Sequence, residues 1–315
     1  MTAAFVLSLD KELVWGSVDH TPVEEWKRRH PDARGVTREL IALLDELAIP
    51  ATWAVVGHLF LGACARGPDG RAHPELVRPS YRWHPGDWLA ADPCTDAARA
   101  PLFYAPDLVD EIGAARAGHE IGSHSFSHLI YGDPGCSRAA AASDLGACVE
   151  AARARGLALR SFVFPRNVEG HHDVLRELGF TAFRGEEPHL YRRLPRPARR
   201  AAHFADHALG LAAPTVSPSE RLPGLWNVPG SMMLFPRGGP RDLISFDRRV
   251  RKARATLARA VRRREIFHLW FHPFNLHTDR AGMFAALRRI LRAVADERER
   301  GRIEVLTMGQ AANRG

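Results

Sequence analysis

The chain has 315 residues, 45% hydrophobic and 25% charged, a balance that excludes a disordered chain, a fibrous repeat and a small disulfide-stapled domain. No apolar run approaches the roughly 20 residues that a membrane-spanning helix needs. Lys and Arg outnumber Asp and Glu by 44 to 36, a net charge of +8, and the basic residues cluster at Arg192-Arg193, Arg199-Arg200, 248–254 and Arg262-Arg263-Arg264. These groups sit among Ala and Leu on predicted helix faces. They read as solvated surface, so nucleic-acid binding is not expected, and attraction of an anionic substrate ranks above it.

Along the chain, strands and helices alternate. Residues 4–9 read as a strand, and 37–47 as a helix with Leu40, Leu43, Leu44 and Leu47 at helical spacing. Pro50 leads into a second strand at 51–56. A helix over 108–117, closed by Gly118, precedes a short strand at 119–122. Next come an Ala-rich helix over 138–155 ended by Gly156, a strand at 161–164, a helix around 174–178 and a strand at 181–183. A helix over 242–263, a strand at 266–271, a helix over 283–298 and a strand at 303–306 complete the order. This alternation predicts a parallel sheet, and the number of units predicts a closed or nearly closed barrel.

Two stretches break the rhythm. Residues 57–106 are rich in Pro, Gly and Trp, and 184–223 carry six prolines. Loops this long inside a compact domain are lids or disordered. The expectation is one domain over 1–315 with these two elaborated loops. Cys64, Cys94, Cys136 and Cys148 show no Cys-x-x-Cys spacing, so free buried thiols are expected rather than a zinc knuckle. The first residues carry no basic leader with an apolar stretch and cleavage site, which leads to the expectation of a cytoplasmic location.

In parallel α/β folds the chemistry collects where strands end. Asp10, Glu12 and Trp15 follow the first strand, His124 and His128 the third, Pro165, Arg166 and Asn167 the fourth, and His272 the strand at 266–271. Two acids, three histidines, an Arg and an Asn at one mouth suit a metal-activated water with a general base and acid. The spacing His-x-x-x-His is weak alone, because it occurs three times among 16 histidines. Context separates the pairs. His124/His128 follows a strand end, where a helical turn would put both rings on one face. The pair His203/His207 lies in a Pro- and Arg-rich stretch, and His268 lies inside an apolar strand as a satisfied core residue.

The run Gly118-His119-Glu120-Ile121-Gly122-Ser123-His124-Ser125-Phe126-Ser127-His128 resembles the histidine motif of the polysaccharide deacetylase (NodB-like, carbohydrate esterase family 4) superfamily. Ser8-Leu9-Asp10 resembles that family's first motif and Phe271-His272 its last. The resemblance implies a distorted seven- or eight-stranded (β/α) barrel and hydrolysis of an N-acetyl or related amide. It implies a divalent metal, Zn²⁺ first, on His124, His128 and a carboxylate, with Asp10 as base and His272 as general acid. The family's adjacent aspartates are replaced here by Asp10-Lys11-Glu12, which resembles an Asp-x-Glu branch. Strand alternation puts Asp10 and Glu12 on one face and Lys11 on the other. Glu12 is therefore favoured as the ligand, with Asp10 the alternative. Phe164-Pro165-Arg166-Asn167 departs from the family's Arg-x-Pro-Tyr. Arg166 is expected to orient Asp10, and Asn167 to touch the substrate.

For substrate contacts the candidates are Trp15, Asp87, Trp88 and Trp226, each Trp having packing of a loop as its bland alternative. The expected partner is a small-molecule or oligosaccharide N-acyl substrate, such as a sugar-containing biosynthetic intermediate. Two other classes compete: a metal-independent hydrolase of cyclic amides or ureides, kept open by Lys11, and a carbohydrate-binding homologue without activity.

Overall fold

The computed structural model describes residues 2–189, 191 and 194–314. The Arg192-Arg193 pair lies outside the described residues, as do the side chains of Arg199, Arg200 and His203. The organising strand is β1 (Ala3–Lys11), whose nine residues are all buried. It pairs in parallel along one edge with the strand Ile266–Phe271, and along the other with Ile303–Leu306 at Ala3–Val6 and with Thr52–Val55 at Ser8–Lys11. In chain order the strands are β2 (Thr52–Val55), β3 (Glu120–Ser123), β4 (Ser161–Val163), β5 (Ala182–Arg184), β6 (Ser219–Leu222), β7 (Leu225–Asn227), β8 (Met232–Met233), β9 (Ile266–Phe271) and β10 (Ile303–Leu306). The sheet order is β6-β7-β5-β4-β3-β2-β1-β9-β8, with β10 on β1. Every pairing is parallel except β6 with β7.

The segment from β7 to β8 brings the curled sheet round into a distorted barrel. The Val228 and Gly230 N–H groups donate to the Phe183 and Gly185 carbonyls on one side. Ser231 and Leu234 donate to His268 and Trp270 on the other. This is the α/β barrel-like fold that the alternation of elements predicts.

Pleating sorts β1 by parity. Ala4 and Val6 face the interior with Ala54, Val163, Ala182 and Ile266, where Met308, Ala311 and Ala312 of α9 (Met308–Ala312) plug the lower end. Ser8 and Asp10 continue the same face upward. Phe5, Leu7 and Leu9 face out, into the larger core under the helices. Lys11 also points outward, and its ammonium donates to Thr37 Oγ1 at 2.7 Å. The strand β9 repeats the pattern, with Ile266, His268 and Trp270 inward and Phe267, Leu269 and Phe271 outward.

The remaining helices are α1 (Val23–Arg29), α2 (Ala33–Glu46), α3 (Pro106–Gly113), α4 (Arg138–Arg153), α5 (His172–Glu177), α6 (Arg196–Leu209), α7 (Phe246–Arg263) and α8 (Arg280–Glu299). Asp32, Ser137, Ser245, Asp279 and Thr307 accept from first-turn N–H groups of α2, α4, α7, α8 and α9, satisfying donors that a helix start leaves unpaired. Three sequence expectations are corrected. The stretch 184–223 is not a loop throughout: Pro197, whose missing N–H costs nothing in a first helical turn, lies in the start of α6, and β6 follows. The helix expected over 108–117 ends at Gly113, and turns carry the chain to Gly118. The basic run 248–254 is no free stripe, because Arg249 is buried on the Ile244, Phe235 and Arg241 carbonyls and Lys252 on Asp206. Among the described residues no helix is long and apolar enough to cross a membrane.

The inward face of β9 yields a test of the interior. His268 is fully buried, with Nδ1 at 3.1 and 3.0 Å from the Val228 and Pro229 carbonyls and Nε2 2.8 Å from Ser8 Oγ. Burial, reinforced by Arg184, lowers its pKa from 6.5 to about 3. Between those values the unfolded chain binds a proton that the native ring refuses, so stability falls on acidification. Urea unfolding should show the wild type losing on the order of 3 kcal/mol more than His268→Asn between pH 7 and pH 4. Equal losses would mean that His268 is not held neutral.

Candidate active site

The expected residues meet at the carboxyl end of the barrel. Glu12 is the first residue past β1, His124 the first past β3 and His272 the first past β9. Glu12 Oε1 lies 3.0 Å from His124 Nε2, 3.3 Å from His128 Nε2 and 3.1 Å from His272 Nε2. The ligand atoms of Glu12, His124 and His128 form one group of metal-binding type, and those of Asp10, Glu12 and His272 an overlapping one. Gly16 makes room for this carboxylate, since a Cβ there would stand 1.8 Å from Glu12 Oε2.

The donor set calls for a positive charge among these atoms. His124 Nδ1 is 2.8 Å from the Val163 carbonyl, an acceptor only, so Nδ1 carries a proton and Nε2 is aimed at Glu12. Burial, opposed by Glu12, lowers the His128 pKa, keeping that ring neutral as a ligand must be. Its Nδ1 is buried without a hydrogen-bond partner among the described residues. Burial works against the Glu12 carboxylate as well, but it is outweighed, by His272 first, and the Glu12 pKa lies well below its ordinary value. A divalent cation among two imidazoles and a carboxylate fits this arrangement.

The two histidines are brought together by an irregular turn, not by the expected helical one. Ser125 and His128 both adopt left-handed backbone, with φ of 63° and 61°, conformations that non-glycine residues hold only when their surroundings impose them. Asp144 of α4 does so here. Its buried carboxylate accepts from Phe126 N at 2.9 Å, Ser127 N at 3.0 Å, Ser127 Oγ at 2.7 Å and Tyr131 Oη at 3.0 Å. From the other side, Gly57 and His58 N–H groups donate to the Ser125 and Phe126 carbonyls at 2.7 and 3.0 Å.

Asp10 is held by Arg184, not by Arg166. Both Arg184 terminal nitrogens reach the Asp10 oxygens at 2.7 Å, and the pair is almost fully buried. Burial alone would raise the Asp10 pKa, but Arg184 outweighs it and lowers it. Arg184 also donates to Ser8 Oγ and Asn167 Oδ1, at 3.0 and 3.2 Å. Its guanidinium lies 4.2 Å from the centre of the Trp270 ring. Arg166 turns away to pair with Asp19 and stand over Trp83. Sequence reasoning overlooked Arg184, although listing what ends each strand points to it: it is the last residue of β5.

The residues expected to contact substrate are placed as follows. Trp15 is buried, its N–H donating to the Phe103 carbonyl at 3.1 Å. Trp88 is buried as well and donates to the Ser127 carbonyl at 3.0 Å, propping the histidine turn. Asp87 pairs with Arg78 at 2.7 Å. Trp226, opposite Ala182 in the sheet, packs on the apolar cluster closed by α9 at the far end of the barrel. The aromatic side chain exposed beside Arg166 is Trp83, 45% exposed and stacked on Tyr81.

An α/β barrel with carboxylates, imidazoles and an arginine gathered at its strand ends has the layout of a hydrolase site. The chain belongs to the polysaccharide deacetylase family, whose profile matches residues 8–182. That match contains Asp10, Glu12, His124 and His128 and stops short of Arg184 and His272. No curated protein sequence matches the chain. Among solved structures, a polysaccharide-deacetylase-type protein of Mycobacterium smegmatis superposes with a TM-score of 0.65 at 18% identity, over 99% of this chain and 90% of that one. One from Pseudomonas aeruginosa PAO1 gives 0.59 at 12%, over 98% and 89%. The PuuE allantoinase gives 0.56 at 13%, over 98% and 89%. At these identities the likeness concerns the fold.

Asp144 offers a direct test of how the histidine turn is held. Asp144→Ala leaves two buried N–H groups and two hydroxyls without their acceptor, and should lower the unfolding free energy by about 3 kcal/mol. Asp144→Asn, which keeps one acceptor oxygen, should cost less. Denaturant titration of both variants checks the order, and equal small losses would remove Asp144 from this role.

Proposed function

We propose that the protein is a metal-dependent hydrolase that removes an N-acetyl or related N-acyl group from an amino sugar or a sugar-containing biosynthetic intermediate, working as one catalytic unit over 1–315. The observation that carries this reading is the convergence of three imidazole Nε2 atoms on Glu12 Oε1, with Asp10 held ionised beside them. Membership of the deacetylase family supports the same class of reaction. Glu12, His124 and His128 would hold the ion, and Zn²⁺ suits one carboxylate and two imidazoles with a position left open. Such an ion supplies Lewis acidity, polarising the amide carbonyl and making water nucleophilic near neutral pH.

The protein's own groups divide the remaining work. Asp10, fixed by Arg184, accepts the proton of the attacking water. His272 Nε2 stands 3.7 Å from Asp10 Oδ2 on the half-buried side of the site, where it can hand a proton to the leaving amine nitrogen. That proton matters because an amide anion is a very poor leaving group. Arg184 keeps Asp10 oriented, and Asn167, joined to Arg184 at the rim, contacts the substrate.

Elemental analysis of wild type and His124→Ala/His128→Ala, with acetate release from N-acetylglucosamine oligosaccharides, tests the metal. The double variant should hold about one equivalent less metal than wild type and lose activity. Chelator-insensitive turnover in wild type would instead favour the metal-independent cyclic-amide reading. Arg184→Met removes the counterion of a buried carboxylate, so kcat/KM should fall by at least about 100-fold, with Arg184→Lys retaining part of it. An equal loss in Arg166→Met would show that Arg184 is not the residue that positions Asp10.

A further inference from the structure

We propose that residues 57–106 carry a second, structural divalent-cation site of zinc type, built by His58, Cys64, His73 and Asp92. No strand or long helix holds this stretch. Its described regular structure is one short helical turn, Gly57–Phe60, with two isolated bridges, Ala63 to Asp96 and Arg66 to Ala72. At its centre four ligand atoms from separate points of the chain crowd together. His58 Nε2 lies 2.8 Å from Asp92 Oδ2 and 3.1 Å from His73 Nε2, and His73 Nε2 lies 3.1 Å from Asp92 Oδ2. Cys64 Sγ stands 3.5 Å from Asp92 Oδ2 and 3.8 Å from His58 Nε2. Around a tetrahedral zinc ion, nitrogen and oxygen donors stand about 3.3 Å apart and sulfur about 3.6 Å from either.

Outer partners orient His58, His73 and Asp92 inward, and Cys64 Sγ lies 3.1 Å from Tyr104 Oη. His58 Nδ1 is 2.9 Å from the Phe103 carbonyl and His73 Nδ1 is 3.2 Å from Glu75 Oε1. The Nδ1 atoms are thus engaged outward, and both Nε2 atoms face each other and Asp92. Asp92 Oδ1 accepts from Cys94 N at 2.9 Å and from Tyr104 Oη at 3.1 Å, leaving Oδ2 to the cluster. A cation among these four atoms would balance the Asp92 carboxylate and take the thiol as its thiolate. A proton on His73 is the rival solution: burial opposes it, but Asp92 and Cys64 raise that pKa to about 10. His58 and Asp92 are fully buried, Cys64 only half-buried, and all four positions are protein side chains, as in a structural site rather than a catalytic one.

The site would clamp the long loop to the catalytic turn. The His58 and His73 rings lie 5.6 and 5.1 Å from Phe126, which sits between His124 and His128 in the chain, and His58 lies 4.5 Å from Trp15. Metal analysis and cobalt spectroscopy on the full His124→Ala/His128→Ala chain test this, because the first site is removed and the loop is untouched. About one equivalent of zinc should remain in that chain. Exchange with Co²⁺ should give a thiolate-to-cobalt charge-transfer absorption in the near ultraviolet, lost on Cys64→Ser. Both observations on the loop-intact chain stand even if Cys64→Ser fails to fold. Three results would each overturn the site: zinc below about a tenth of an equivalent after reconstitution, a cobalt spectrum without the thiolate band, or a Cys64–Cys94 disulfide in the unreduced protein. None of them bears on the catalytic metal, which is read from the difference between wild type and the double variant.

Discussion

A neutral imidazole whose Nδ1–H is committed to a fixed acceptor shows its surroundings a lone pair. Burying that lone pair against a carboxylate is unfavourable until positive charge stands between them. This constraint organises the mouth of the barrel. The Val163 carbonyl fixes His124, and three rings then crowd one oxygen of Glu12. The Phe103 carbonyl and Glu75 likewise engage Nδ1 of His58 and His73 in the long loop, which leaves both Nε2 atoms facing Asp92. Much of the nearby architecture exists to hold these atoms at short range: the space at Gly16, the left-handed Ser125 and His128, and the four donors on Asp144.

The second determinant is the layering of the barrel interior. Ala4, Val6, Ala54, Val163 and Ala182 form an apolar floor under Ser8, His268 and Arg184, with Asp10 above. In such a medium a bidentate Arg–carboxylate pair is strong, and removing either partner is costly, since the other stays buried and charged. Ser8 joins the pair to a neutral His268, so Arg184 is oriented by β1 and β9 as well as by its own strand. The carboxylate proposed as the base thus owes its position to residues from three strands distant in sequence.

Trp15 and the aromatic residues of the first long loop also take on a consistent role. Trp15, Trp88 and Tyr81 each use their polar atom on a backbone group: Trp15 at Phe103, Trp88 at Ser127 and Tyr81 at Ile130. Large rings with one hydrogen-bonding handle are well suited to fastening irregular backbone, because they exclude water while satisfying a carbonyl. The loop is thereby packed along the 124–131 turn, and its conformation and the geometry of the histidines are linked through direct contacts.

Local pattern was enough for the strands and for much of the site. Period-two alternation put Asp10 on the inner face and Lys11 on the outer, and strand ends located Glu12, His124 and His272, because a parallel strand has one end at which its side chains meet those of its neighbours. Arg184 was within reach of the same rule, hidden only because a proline-rich stretch begins there. Pattern could not tell which arginine reaches Asp10, since Arg166 follows β4 and Arg184 ends β5, and the answer depends on where those strands stand around the barrel. Nor could it tell a tryptophan that fastens a loop from one that faces solvent. His58, Cys64, His73 and Asp92 have no motif spacing, and Asp144 is one acid in an Ala-rich helix. Sequence alone determined the barrel, its polarity and the strand ends that carry Glu12, His124 and His272, all of which follow from short-range periodicity. Tertiary structure decided the ion-pair partner of Asp10, the support of the histidine turn and the cluster inside the long loop, because each depends on distances between atoms far apart along the chain.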